Sequence, residues 1–116
     1  MKVLLILNDA PYGIERTYNG LRIAGVLAKR EGMELKIFLM GDAVISAVSG
    51  QKVPTGYYNA QIMLSNPIKR GAVVGICGTC MDARGVQEAQ LTAGAYRSTM
   101  EELTDWIVWA DKVITY

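Results

Sequence analysis

The sequence predicts an α/β fold: a three-layer α/β/α sandwich around a mostly parallel five-stranded sheet. Three observations carry this expectation. Short apolar runs of strand length alternate with stretches of helical period along the chain. The candidate helices fall between the candidate strands, an order that implies a mostly parallel sheet with helices on both faces. The third is composition. With 116 residues, 51% hydrophobic and a net charge of +1, the chain suits one packed core, so residues 1–116 are expected to form a single domain.

The elements follow in order. Lys2–Leu7 is an apolar run that reads as a buried first strand, and Asn8–Gly13, rich in turn formers, as the loop after it. A helix is expected from Glu15 to Glu31, with Ile14, Tyr18, Leu21, Gly25 and Ala28 on one face and Gly32 as its stop. Leu35–Met40 reads as the second strand. Asp42 is placed to N-cap a short helix running to Val48. Ser49–Tyr58 lacks periodicity and reads as an exposed loop. A short helix over Asn59–Leu64 should break or restart at Pro67. Ala72–Ile76 is the third strand and leads directly into two cysteines.

A helical turn is expected near Val86–Leu91, and Ala95–Tyr96 forms a very short fourth strand. Ser98 and Thr99 each precede a glutamate by three residues, Glu101 and Glu102, a doubled capping-box signal. Leu103, Trp106, Ile107 and Ala110 continue that helix, and Lys112–Thr115 closes the sheet.

Composition excludes several function classes. Twelve basic and eleven acidic residues leave no field of one sign, which argues against nucleic acid or an anionic membrane as partner. No apolar run approaches the ~20 residues of a membrane span. There are no histidines, which removes Ser-His-Asp and Cys-His catalysis within one chain. The first residues do not read as an export signal, so a reducing, cytoplasmic compartment is expected. A structural zinc site needs four ligands and the chain offers two cysteines, so no metal and no cofactor is assigned.

The candidate site is Cys77-Gly78-Thr79-Cys80, just past the third strand. In parallel sheets, chemistry gathers beyond the carboxyl ends of the strands. A thiolate there is a nucleophile when a helix N-terminus or a cation lowers its pKa. Arg84 is the nearby cation, so Cys77, Cys80 and Arg84 are the candidate catalytic residues. Gly78 and Gly85 let the backbone approach a substrate. Asn8, Pro11 and Tyr12, from the loop after the first strand, complete the candidate substrate contacts. Plainer readings stand beside these. A cysteine at a strand end is often a small hydrophobe, and Arg84 can be a solvated charge.

Residues 77–85, Cys-Gly-Thr-Cys-Met-Asp-Ala-Arg-Gly, resemble the cysteine loop of the DsrE/DsrF-like sulfur-relay family in its YchN-type subgroup. The resemblance extends to Asn8–Gly13, to Phe38-Leu39-Met40 with Asp42-Ala43-Val44, to Gly50-Gln51-Lys52 with Gly56-Tyr57, and to Ala110-Asp111-Lys112-Val113. It implies the three-layer fold and a compact oligomer, commonly a trimer or hexamer. It also implies sulfur carried as a persulfide on the position of Cys77, between donor and acceptor proteins. Cys80 matches a second cysteine of that subgroup which many sulfur-relay subunits lack, and Asn66-Pro67 departs from the subgroup's uninterrupted helix.

The expected activity is therefore that of a sulfur carrier, or a sulfurtransferase without independent turnover. The alternatives are a non-catalytic oligomeric module binding a small ligand or protein, and a Cys77–Cys80 redox switch. A homo-oligomer is expected, with some of Tyr57, Tyr58, Met63, Trp106 and Trp109 between subunits.

Overall fold

A computed structural model describes residues 1–116. Five strands form one sheet: β1 (Lys2–Leu7), β2 (Glu34–Leu39), β3 (Val73–Cys77), β4 (Ala95–Ser98) and β5 (Lys112–Thr115). Their spatial order is β4-β3-β2-β1-β5 and every pairing is parallel. Four α-helices connect them: α1 (Arg16–Leu27), α2 (Ala60–Lys69), α3 (Gly78–Ala83) and α4 (Met100–Trp109).

The order fixes the layers. Crossovers are right-handed. The first three connections step the same way across the sheet and the last steps back past β1, so α4 lies on the opposite face from the others. Side-chain contacts agree. Gly20 of α1 packs on Leu7, and Trp106 of α4 meets Phe38 edge-on at 6.0 Å. Leu7 pairs with Leu39, the neighbour of Phe38, and successive strand residues point to opposite faces.

The inner strands are apolar on both sides because both faces are covered. Val3, Leu4, Leu5, Leu7, Ile37, Phe38, Leu39, Val74 and Ile76 are essentially inaccessible to water. Truncating such a residue to alanine costs about 2–5 kcal/mol. The edge strands β4 and β5 remain largely exposed, but they are short and carry Arg97 and Lys112, which guards them against further pairing.

Several expectations are corrected. Helix α1 ends at Leu27 rather than Glu31, because the following N–H groups of Lys29 and Arg30 bond three residues back instead of four. Its buried face is Thr17, Gly20, Leu21 and Ala24, one notch round from the expected stripe, and Ile14 lies exposed before the helix. Small residues win that face because the helix sits close on the sheet. Asp42 caps nothing: residues Gly41–Ala47 form a 3₁₀ segment whose cap position is Met40. The 42 carboxylate instead pairs with Arg84.

Pro67 does not break its helix. Helix α2 runs through it to Lys69, N-capped by Asn59, whose side chain accepts from the Ile62 N–H at 3.2 Å. Only the last turn follows Pro67, and its ring forgoes just one helical bond. The carbonyl of Pro67 then accepts from Arg70 and Ala72, closing the helix end. The capping signal before α4 is realised once, with the Thr99 hydroxyl accepting from the Glu102 N–H. The Glu102 carboxylate turns instead to the hydroxyls of Ser98 and Tyr96, both at 2.6 Å. Strand β4 reaches Ser98, two residues beyond expectation. Trp106 is a core residue, 5% exposed.

Candidate functional site

The carboxyl ends of β1, β2 and β3 converge at one edge of the sheet. Strand β3 delivers Cys77 there, at the cap position of α3, and Cys80 follows one turn into that helix. A six-residue helix forms because Gly85 supplies the left-handed stop, φ +65°. The N–H of Gly85 bonds the Asp82 carbonyl and that of Val86 the Met81 carbonyl, the two reciprocal bonds of a Schellman motif. Gly85 thus shapes the turn that carries the cysteines.

Cys77 is only 3% exposed, while Cys80 is half-buried; both are free thiols. The Sγ of Cys77 lies 3.4 Å from the Thr79 hydroxyl. Burial opposes ionisation of Cys77 most strongly. Hydrogen bonds from the Cys80 thiol, the Thr79 hydroxyl and the N–H groups of Cys80 and Thr79 together outweigh it and hold the thiol below its ordinary value. Cys80 moves the other way. Burial raises it first, and donation to Cys77 raises it further, against a hydrogen bond from the Gly41 N–H and the charge of Arg84. The pair is therefore divided into a ready nucleophile and a retained proton.

A cleft of about 330 Å³ opens beside Cys77. Gly78, Thr79, Arg97, Ser98, Thr99, Met100 and Glu101 form its walls with that cysteine. Register explains the company: Cys77 pairs with Ser98, which places Arg97 and the start of α4 alongside. No group of three or more His, Cys, Asp or Glu side chains gathers as a metal site would require.

The sequence profile of the DsrE/DsrF-like family matches residues 1–116. The chain belongs to the DsrE/DsrF-like family. It is 40% identical to Protein YchN of Escherichia coli (strain K12) over 116 residues, covering 99% of this chain and 98% of that relative. An uncharacterised protein of Methanocaldococcus jannaschii is 41% identical over 116 residues and covered in full. The crystal structure of the E. coli YchN protein superposes with a TM-score of 0.94 at 40% identity, covering 100% of this chain and 99% of that one. A protein of unknown function from Methanobacterium thermoautotrophicum, at 14% identity and TM-score 0.74, shares the fold.

In this DsrE/DsrF-like chain the expected site residues fall into three groups. Cys77, Gly78 and Cys80 lie together on the β3–α3 turn. Arg84 sits at the end of α3, where Nε meets Asp42 at 2.9 Å and a terminal nitrogen meets the Cys80 carbonyl at 3.1 Å. Its charge bears on the Cys80 thiol. The loop after β1 has its own partners. Asn8 donates from its side-chain amide to the Tyr116 carbonyl at 2.9 Å. Pro11 accepts from the Tyr58 hydroxyl at 2.9 Å. Tyr12 donates to Gln51 at 2.5 Å, accepts from the Ala60 N–H at 3.0 Å and stacks on Tyr58. Pro11 and Tyr12 thus fasten the long loop that follows Val48.

Arg97 was not anticipated. The apolar run that marks β4 is too short to show that the strand reaches residue 98. Extending that strand by two residues and pairing it with β3 would have brought Arg97 beside the cysteine turn.

Proposed function

We propose that this protein carries sulfur as a persulfide on Cys77 and passes it to a partner thiol, in the cytoplasm. The observation that supports this most directly is Cys77 itself. It is a depressed-pKa thiol at a strand end, shielded from bulk water, and opens on a cleft about 330 Å³ in volume. Membership of the DsrE/DsrF-like family points the same way.

The chemistry is sulfane transfer by thiolate attack. The Cys77 thiolate attacks the outer sulfur of a donor persulfide. The donor S–S bond breaks, its electron pair leaves with the donor thiolate, and Cys77 holds the outer sulfur. An acceptor thiolate repeats the step and restores the Cys77 thiolate. No general base is needed, so the lack of histidine is no obstacle. Electrons balance without an external oxidant.

Cys80 supports a second outcome. Cys80 stands one helical turn beyond Cys77 in α3, and the two thiols bear on each other's ionisation. Attack by a Cys80 thiolate on the inner sulfur would expel hydrosulfide and leave a Cys77–Cys80 disulfide. The retained proton on Cys80 slows that discharge.

Assembly as a homo-oligomer, trimer or hexamer, is part of the proposal. Val108 is 82% exposed and Tyr57 71%, with Val26, Ile62, Ile107 and Val113 also in water, and contact with another copy of the chain would cover such residues. Light scattering at micromolar concentration tests this, and a monomeric mass refutes it.

The decisive experiment for sulfur transfer is intact-mass analysis after incubation with a cysteine desulfurase and cysteine. A gain of one sulfur on the wild type, absent in Cys77→Ser, is the expected result. No gain under any donor overturns the reading.

A further inference from the structure

Two arginines flank the cysteine turn, and each is tied to an aspartate. Arg84 holds Asp42 at 2.9 Å and bears on Cys80. Arg97 grips Asp82 with two parallel bonds, 2.8 and 2.9 Å, the forked geometry that suits a guanidinium to a carboxylate. The Arg97 group lies flat against Gly78. A Cβ there would come within 2.8 Å of its Cζ and Nε, so residue 78 must be glycine for Arg97 to lie where it does. Arg97 also lines the cleft into which sulfur on Cys77 would project.

We infer that Arg97 is the anion-holding residue of this site. Its guanidinium stabilises negative charge on sulfur at position 77, the thiolate before loading and the outer sulfur of the persulfide afterwards. Asp82 partly cancels that charge and so sets its strength. The persulfide half of this inference rests on the sulfur-carrier reading; the thiolate half does not. Arg97 is held more strongly protonated than an ordinary arginine, first by its hydrogen bonds to Asp82, against partial desolvation, and then by the charges of Asp82, Glu88 and Cys77. The lowering of the Cys77 thiol itself comes from Cys80 and Thr79, so Arg97 is singled out by its place in the cleft. Gly78 has a role distinct from substrate access: it leaves room for the cation.

The opposed signs of the two partners make a test that a structural brace would fail. Arg97→Gln and Asp82→Asn both delete the same ion pair. If the pair merely anchors α3, both variants shift Cys77 reactivity in one direction. If Arg97 holds the anion, they shift it in opposite directions. The measurement is the iodoacetamide alkylation rate of Cys77 against pH, made in a Cys80→Ser background so that one thiol reports.

Arg97→Gln should move the profile to higher pH and slow alkylation at about pH 6 by about three- to tenfold, the loss of thiolate that removing one partly screened charge produces. Asp82→Asn should move it to lower pH. Gly78→Ala, with Arg97 intact but displaced, should follow Arg97→Gln, and Arg97→Lys should recover part of the shift. Shifts in one direction for Arg97→Gln and Asp82→Asn, or no shift in either, overturn the inference. Sulfur loading is read separately by intact mass. If the wild type accepts no sulfur, the carrier reading fails while the alkylation profiles still decide the role of Arg97.

Discussion

The indole of Trp106 lies so close to Gly75 that a Cβ on that glycine would stand 3.0 Å from the ring's Cη2. The Cβ of Ser98 and the ring of Phe38 close the other sides, at 3.2 and 3.3 Å. Gly75 thus lets α4 settle on the middle of the sheet, next to the strand end that carries Cys77. Gly75→Ala should overpack this point and cost about 1–3 kcal/mol. The urea midpoint should fall with an unchanged slope. An unaltered midpoint would show that α4 can ride outward freely.

Gly85 closes α3 in the left-handed region, at φ +65°, with open space where a side chain would go. The cost of a substitution there is therefore conformational rather than steric crowding. Gly85→Ala should destabilise by about 1–2 kcal/mol, while Gly85→Asn, which tolerates this region better, should lose less. Equal losses in thermal or urea unfolding would contradict that account.

The two thiols predict opposite pH dependences of stability. Cys77 ionises more readily in the native state than when unfolded. It favours folding fully above the unfolded thiol pKa of about 8.5, and that contribution disappears as pH falls through the native value. Cys80 is raised, so its contribution is complete below about pH 8.5 and is lost as pH climbs through its native pKa. Cys80→Ser should therefore gain stability as pH rises from the native Cys77 pKa toward that of the unfolded thiol. Cys77→Ser should lose stability above it. Urea titrations at several pH values read both, and parallel curves would count against the division of roles.

Tyr12 is bonded through its hydroxyl to Gln51 and to the first N–H of α2. Tyr12→Phe should cost about 1 kcal/mol and hasten proteolytic cutting between residues 50 and 58, with the Cys77 alkylation profile unchanged. A large shift in that profile would instead place Tyr12 at the cysteine site.

The sheet was legible because β1 after Lys2 and β3 are continuous apolar runs and β2 is interrupted from Leu35 onward by Lys36 alone, the pattern of strands covered on both faces. The cysteine pair was legible as a candidate because both nucleophiles stand together just past such a run. The rest depended on contacts distant in sequence. Asp42 has the chemistry of a cap, and only the fold brings it to Arg84. Pro67 reads as a breaker, yet it falls in the last turn, where a missing N–H matters little. Arg84 is near Cys77 in the chain, but Arg97 comes nearer to its cleft through strand pairing. Local spacing cannot rank two cations when tertiary register decides.

The pairing of β1 with β5 joins Val3 to Lys112 and Ile6 to Thr115. The most buried neighbourhood in the sheet is thus completed by the last strand to be synthesised. While a ribosome is still making this chain, β1 can have β2 beside it but keeps its other edge unpaired. The nascent protein consequently displays an apolar strand edge until residues 112–115 emerge. A pause late in translation would hold it in that adhesive state, which is when a chaperone would matter most.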